Sequence, residues 1–118
     1  MTDEKLSGNL IQELKRGTIT LSVLLMAEKP AYGYSLVTDM QAAGIEVEQN
    51  TLYPLLRRLE SQGLLESTWD TGESRPRKYY SVTEEGRRTA HLLGREWRRI
   101  NFVITGLMGE SMVEENGT

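Results

Sequence analysis

The sequence of 118 residues predicts a mainly α fold with a small β-hairpin and a long C-terminal helix. Three observations carry this. Leu52, Leu55, Leu56 and Leu59 recur at i, i+3, i+4 and i+7, the stripe of a helix with one buried face. Two β-rich stretches, Leu64 to Trp69 and Arg77 to Val82, flank a loop of turn-forming residues. Finally, Ala90, Leu93, Trp97, Ile100, Ile104 and Leu107 follow at spacings of 3, 4, 3, 4 and 3, the seam of a helix that pairs with another helix.

In chain order, a first helix is expected from Asn9 to Arg16, with Leu10, Ile11 and Leu14 on one face and Gly17 at its end. Thr18 is placed to cap a second helix, Ile19 to Lys29, which is apolar nearly all round and therefore buried. Pro30 stops it. A third helix, Tyr32 to Ala43, turns Leu36, Val37 and Met40 inward, and Gly44 closes it. Ile45-Glu46-Val47 alternates like a short strand. The fourth helix spans Asn50 to Gln62, with Pro54 in or next to its first turn, where a missing N–H costs little. The hairpin covers Leu64 to Val82. Thr83 caps the last helix, and Glu84 and Glu85 suit its positive end. From Glu84 to Met108 that helix would run roughly 38 Å at 1.5 Å per residue. A domain this small cannot cover such a length, so a second copy of the chain is the expected cover. Gly106 and Gly109 weaken the helix end, and residues 110–118 are expected to fray.

Composition narrows the function. Hydrophobic residues make up 38% and charged residues 26%, the balance of a globular chain. No apolar run approaches the ~20 residues of a membrane helix, and Met1 to Lys5 leads into no signal segment. A cytoplasmic location is expected. With no cysteine, disulfides, thiolate catalysis and cysteine-bound zinc are excluded. No Gly-rich phosphate loop, His-Glu metal motif or nucleophile elbow occurs, which argues against an enzyme; no cofactor or metal is expected. His91, the single histidine, has no second ligand in view. Net charge is -3, which argues against nucleic acid. Its distribution argues the other way. Residues 1–48 hold four Lys/Arg and seven Asp/Glu, whereas residues 49–88 hold seven and six.

After the N-terminal helix, three helices, a hairpin and a helix follow in the order of a winged helix-turn-helix with a C-terminal dimerisation helix. Particular stretches then look familiar: Leu14-Lys15-Arg16-Gly17-Thr18, Tyr32-Gly33-Tyr34, Thr51-Leu52-Tyr53-Pro54-Leu55-Leu56-Arg57-Arg58-Leu59-Glu60, Gly63-Leu64-Leu65, Arg77-Lys78-Tyr79-Tyr80 and Thr83-Glu84-Glu85-Gly86. On these the chain resembles the PadR family of bacterial transcriptional regulators, in its short form with one C-terminal helix. The resemblance implies a homodimer that binds double-stranded DNA at a palindromic operator, usually represses, and is released by an effector. It also implies that Trp97, within Glu96-Trp97-Arg98-Arg99-Ile100, matches a tryptophan that holds flat hydrophobic drugs at the dimer centre in some short members. The chain departs from the pattern in its acidic balance and its glycine-broken end.

The domain division expected is 1–83 for the DNA-binding domain, 84–109 for the dimerisation helix and 110–118 for a tail. With the leucines of the fourth helix turned inward, Asn50, Thr51, Pro54, Arg57, Arg58 and Ser61 lie elsewhere on it. Short polar and Arg side chains there suit major-groove and phosphate contact, and equally a solvated helix face. Tyr53 fits a phosphate contact or the domain edge. Arg75, Arg77 and Lys78 on the hairpin suit backbone or minor-groove contact, or simply blunt an exposed edge. Tyr32 and Tyr34 flank Gly33 at a helix start, where a phosphate is favoured, or pack as core aromatics. Tyr79 and Tyr80 must face opposite sides of the sheet. Trp69 on the hairpin is read as structural. Ala90, Leu93, Trp97, Ile100, Ile104 and Leu107 form the dimer seam, with Leu93, Trp97 and Ile100 the candidate ligand slot or, more plainly, interface anchors. A winged helix that binds partner proteins instead of DNA is the alternative.

Overall fold

The structure, a computed structural model, describes residues 2–72 and 74–117, with side chains for 4–72 and 74–109. Its elements are helix α1 (Thr2–Met26), strand β1 (Ala31–Tyr32), helices α2 (Gly33–Ala42) and α3 (Gln49–Ser61), strands β2 (Leu65–Asp70) and β3 (Arg77–Val82), and helix α4 (Glu84–Gly117). The expected architecture, mainly helical with a small sheet and a long last helix, is the one found. The sheet is antiparallel in the order β1-β3-β2.

Three local expectations are corrected. The break at Gly17 does not exist: α1 is one helix from Thr2 to Met26. Positive φ, which would end a helix there, occurs only at Gly44, Gly63 and Gly109 among the described glycines. The Thr18 hydroxyl donates back to the Lys15 carbonyl at 2.6 Å instead of capping a new helix. Tyr32 is not helical. It sits in β1, opposite Tyr79, and serves as the extended N-cap of α2. Ile45-Glu46-Val47 forms no strand, and Val47 instead inserts into the core. Pro54, expected in or next to the first turn, is the sixth residue of α3, and it has no N–H to give the Asn50 carbonyl. At the C-terminus, Gly109 (φ 74°, ψ 177°) interrupts α4, and the backbone continues as helix to Gly117. The fraying tail expected at 110–118 falls on residues whose side chains, and for Thr118 the whole residue, lie outside the described residues.

The core draws on every layer: Val23 and Leu24 from α1 with Ala27 just after it, Leu36, Val37 and Met40 from α2, the four leucines of α3, Leu65, Tyr80 and Val82 from the sheet, and Ala90 from α4. Gly44 (φ 96°) and Gly63 (φ 79°) close α2 and α3 in the left-handed conformation. After each, the next amide returns to the helix: Ile45 N–H to Met40 O at 2.8 Å, and Leu64 N–H to Leu59 O at 2.9 Å.

A single residue, Thr83, joins β3 to α4. Its N–H donates to Leu64 O at 3.1 Å and its hydroxyl to Gly63 O at 2.7 Å. The same hydroxyl accepts the Gly86 N–H at 2.9 Å, capping α4. A Cβ on Gly86 would lie 2.1 Å from the Leu64 carbonyl oxygen, so the first turn of α4 is pressed onto the connection between α3 and β2, where only glycine fits. Val82 N–H donates to Ala27 O at 2.9 Å, tying the same junction to the end of α1.

Candidate nucleic-acid interface

Burying Leu52, Leu55, Leu56 and Leu59 leaves Asn50, Thr51, Pro54, Arg57 and Arg58 exposed on α3. Neither arginine forms an ion pair with another described residue. The helix therefore presents two unpaired guanidinium groups and short polar side chains on one surface. Tyr53 is half-buried, its ring lying across the start of α2, where a Gly33 Cβ would come within 2.9 Å of Tyr53 Cε1.

The pleat of the wing, the β2–β3 hairpin, sorts its side chains onto two faces. The register pairs Ser67 with Tyr80 and Trp69 with Lys78 on one face, and Thr68 with Tyr79 and Asp70 with Arg77 on the other. Tyr80 is the core aromatic, and Tyr79 faces outward.

On the inner face Glu60, from α3, accepts hydrogen bonds from the Ser67 hydroxyl and, at 3.4 Å, from the Lys78 ammonium. The Ser67 bond does most to hold the Glu60 carboxyl below its usual range. Desolvation opposes this and Lys78 assists it. Burial alone would lower the Lys78 ammonium, but Tyr80 and Glu60 outweigh it and hold its pKa up. Lys78, expected among the DNA contacts, is thus already paired and also lies over the Trp69 and Tyr80 rings.

On the outer face three tyrosines converge. Tyr79 donates to the Tyr32 hydroxyl at 2.5 Å, and Tyr32 donates to Asp70 Oδ2 at 3.3 Å. The Tyr32 and Tyr79 rings stack with centroids 4.0 Å apart, and Tyr34 stacks on Tyr32 at 5.8 Å. The Tyr79 hydrogen bond, then burial and the nearby Asp70 charge, push the Tyr32 hydroxyl up to about 12. Arg77 lies over both the Tyr32 and Tyr34 rings and donates to the Tyr34 hydroxyl at 3.3 Å. Of the wing's basic residues, Arg75, at the tip, is exposed, whereas Arg77 and Lys78 are half-buried. A shallow groove of ≈ 300 Å³ lies between wing and helices, lined among others by Tyr34, Tyr53, Trp69 and Arg77. The N-terminus of α2, beside it, carries no side-chain cap.

Of the six residues expected to line a seam on the last helix, Ala90 is buried in the chain's own core. Leu93, Trp97, Ile100, Ile104 and Leu107 remain exposed, Trp97 at 48%. Sequence reasoning missed the breadth of this apolar surface. Leu92, Phe102 and Val103 are also exposed on α4, Phe102 on the side away from the seam, and Leu6, Leu10, Ile11 and Leu14 lie bare on α1, which packs against α4. The signal for the α1 part was present in the spacing of Leu6, Leu10 and Leu14, but the supposed break at Gly17 hid its continuity with the buried half. His91 is exposed, and no metal-binding cluster occurs among the described residues. No helix among them is long and apolar enough to cross a membrane.

Residues 21–92 match the family model described as "Transcriptional regulator PadR-like family". Transcriptional regulator Rv3488 of Mycobacterium tuberculosis is 31% identical over 109 residues, covering 92% of this chain and all of that protein. A solved PadR family transcriptional regulator from Eggerthella lenta is 45% identical with a TM-score of 0.84, covering 92% of this chain and 96% of that one. A PadR family regulator from Clostridium difficile is 30% identical with a TM-score of 0.72, covering 77% of this chain and 98% of that one.

Proposed function

Because the chain belongs to the PadR-like family of transcriptional regulators, it is a DNA-binding regulator and not an enzyme, and we propose that it acts as a homodimeric repressor of a palindromic operator. The observation that carries this reading is the exposed face of α3, with Arg57 and Arg58 free to meet base edges or phosphate. In it, Asn50, Thr51, Pro54, Arg57 and Arg58 enter the major groove. Arg75 reaches the flanking backbone. Tyr34, Tyr53 and the N-terminal amides of α2 hold a phosphate. Arg77 and Lys78 support the wing more than they touch DNA, since the rings and Glu60 already engage them.

The bare apolar faces of α1 and α4 support dimerisation. Exposed apolar surface of this extent marks an interface. Residues 84–109 serve as the dimerisation helix in this reading, with α1 contributing, and residues 1–83 as the DNA-binding unit. Two copies of α3 must then stand about one DNA turn apart, ~34 Å, for successive major grooves.

Release by a flat hydrophobic effector belongs to the same proposal. Trp97, half-exposed among Leu93 and Ile100, supplies an aromatic face on the helix that sets the spacing. A ligand held between paired α4 helices shifts the equilibrium only if it binds the DNA-incompetent arrangement more tightly. Operation in the cytoplasm completes the reading.

The test is binding to DNA from upstream of the gene, against scrambled DNA, at several salt concentrations. Specific affinity that falls steeply with salt is expected, because phosphate contacts release counterions. Absence of binding even at low salt would favour the partner-protein reading, which the net charge of -3 suits.

A further inference from the structure

Asp70 closes β2 at the base of the wing tip, and its two carboxylate oxygens do different things. Oδ1 accepts the Gly72 N–H at 3.0 Å, fixing the first turn of the tip. Oδ2 accepts the Tyr32 hydroxyl, which itself accepts from Tyr79. Tyr32 is both the β1 residue paired with the wing and the N-cap of α2. One side chain therefore joins the tip of the wing, its returning strand and the helix ahead of α3. A carboxylate is an unfavourable charge on a surface that meets phosphate, so its presence calls for a compensating role.

We propose that Asp70 is a positioning residue for DNA binding: it aims the wing tip, and with it Arg75, by bonding the tip backbone and the Tyr79–Tyr32 hydroxyl chain at once. The inference rests on the DNA-binding reading above. It explains an arrangement that electrostatics alone would disfavour. Asparagine in its place can still accept from Gly72 through its carbonyl. Its amide can donate to Tyr32, and the hydroxyl chain then runs in reverse. Alanine can do neither.

The experiment compares the full-length protein with Asp70→Ala and Asp70→Asn for specific DNA binding over a range of salt concentrations. Both substitutions remove the same charge. Asp70→Ala is expected to weaken binding roughly tenfold, the scale of one or two lost hydrogen bonds. Its slope of log affinity against log salt should fall by about one, as the tip's phosphate contact is lost. Asp70→Asn should restore both values. A variant that only lost folded protein would bind less in total with an unchanged salt slope, and thermal unfolding of each variant identifies it. Tyr32→Phe should weaken binding too, and add little to Asp70→Ala, because the two share one chain. Equal or tighter binding by both Asp70 variants overturns the positioning role while leaving the DNA-binding reading intact. No specific binding by the unaltered protein removes both.

Discussion

Glu60 of α3 and Lys78 of β3 face each other at 3.4 Å across the inner side of the wing, with Ser67 bonded to the same carboxylate. The pair is about one-third exposed, so its worth in stability is under about 1 kcal/mol. Its larger effect is to take Lys78 out of the set of free cations. Replacing Lys78 with Met should leave the salt slope of DNA binding nearly unchanged. Glu60 titrates below its ordinary 4.5, so its stabilisation is present above that value and lost as pH falls through the lower folded value. The difference in melting temperature between the native chain and Glu60→Gln should hold from about pH 8 to about pH 5 and shrink under more acidic conditions. A difference that grows in acid would contradict the bonding described for Glu60.

Arg57 and Arg58 share the exposed side of α3 and bond to no neighbour. Their joint replacement by alanine should lower specific DNA affinity roughly a hundredfold or more, at about 1–3 kcal/mol per contact. Sedimentation and thermal unfolding should be unchanged, since neither side chain is buried. Retained affinity in the double variant would remove α3 as the reading element.

Gly86→Ala should destabilise the fold by at least about 2 kcal/mol, measured by chemical denaturation, because the added methyl meets backbone at the Leu64 carbonyl. Gly33→Ala should cost much less. There the nearest atom belongs to the Tyr53 ring, which can turn aside.

The apolar faces of α1 and α4 separate two roles. Leu14, 73% exposed, has no structural duty within one chain. Leu14→Asp should therefore yield a folded monomer by sedimentation. Trp97→Ala should keep enough interface to dimerise and bind DNA, but lose any response to planar aromatic cations that quench Trp97 fluorescence in the native chain. Equal loss of dimer and response would make Trp97 an anchor and nothing more.

The α3 stripe, the wing and the capped start of α4 were legible because each is signalled locally: leucines at helical spacing, turn residues between β-rich runs, and Thr83 before two glutamates. What was not legible depends on distant partners. Gly17 and Thr18 carry the local chemistry of a helix break, yet packing of the α1 second half into the core carries the helix through them. β1 is two residues long and exists because β3 offers it an edge, not because Ala31-Tyr32 alternates. Lys78 reads as a free cation beside Arg77 until Glu60, 18 positions earlier, is found against it.

Thr83 leaves no slack between α3 and α4, since its backbone and hydroxyl bond directly to the residues that follow α3. In a dimer joined through α4, half-site spacing and base preference would then be inherited separately. Drift in the apolar faces would re-space the two heads as blocks, and drift at Arg57 and its neighbours would re-address them. A lineage could move to a new operator along either axis without first disturbing the other.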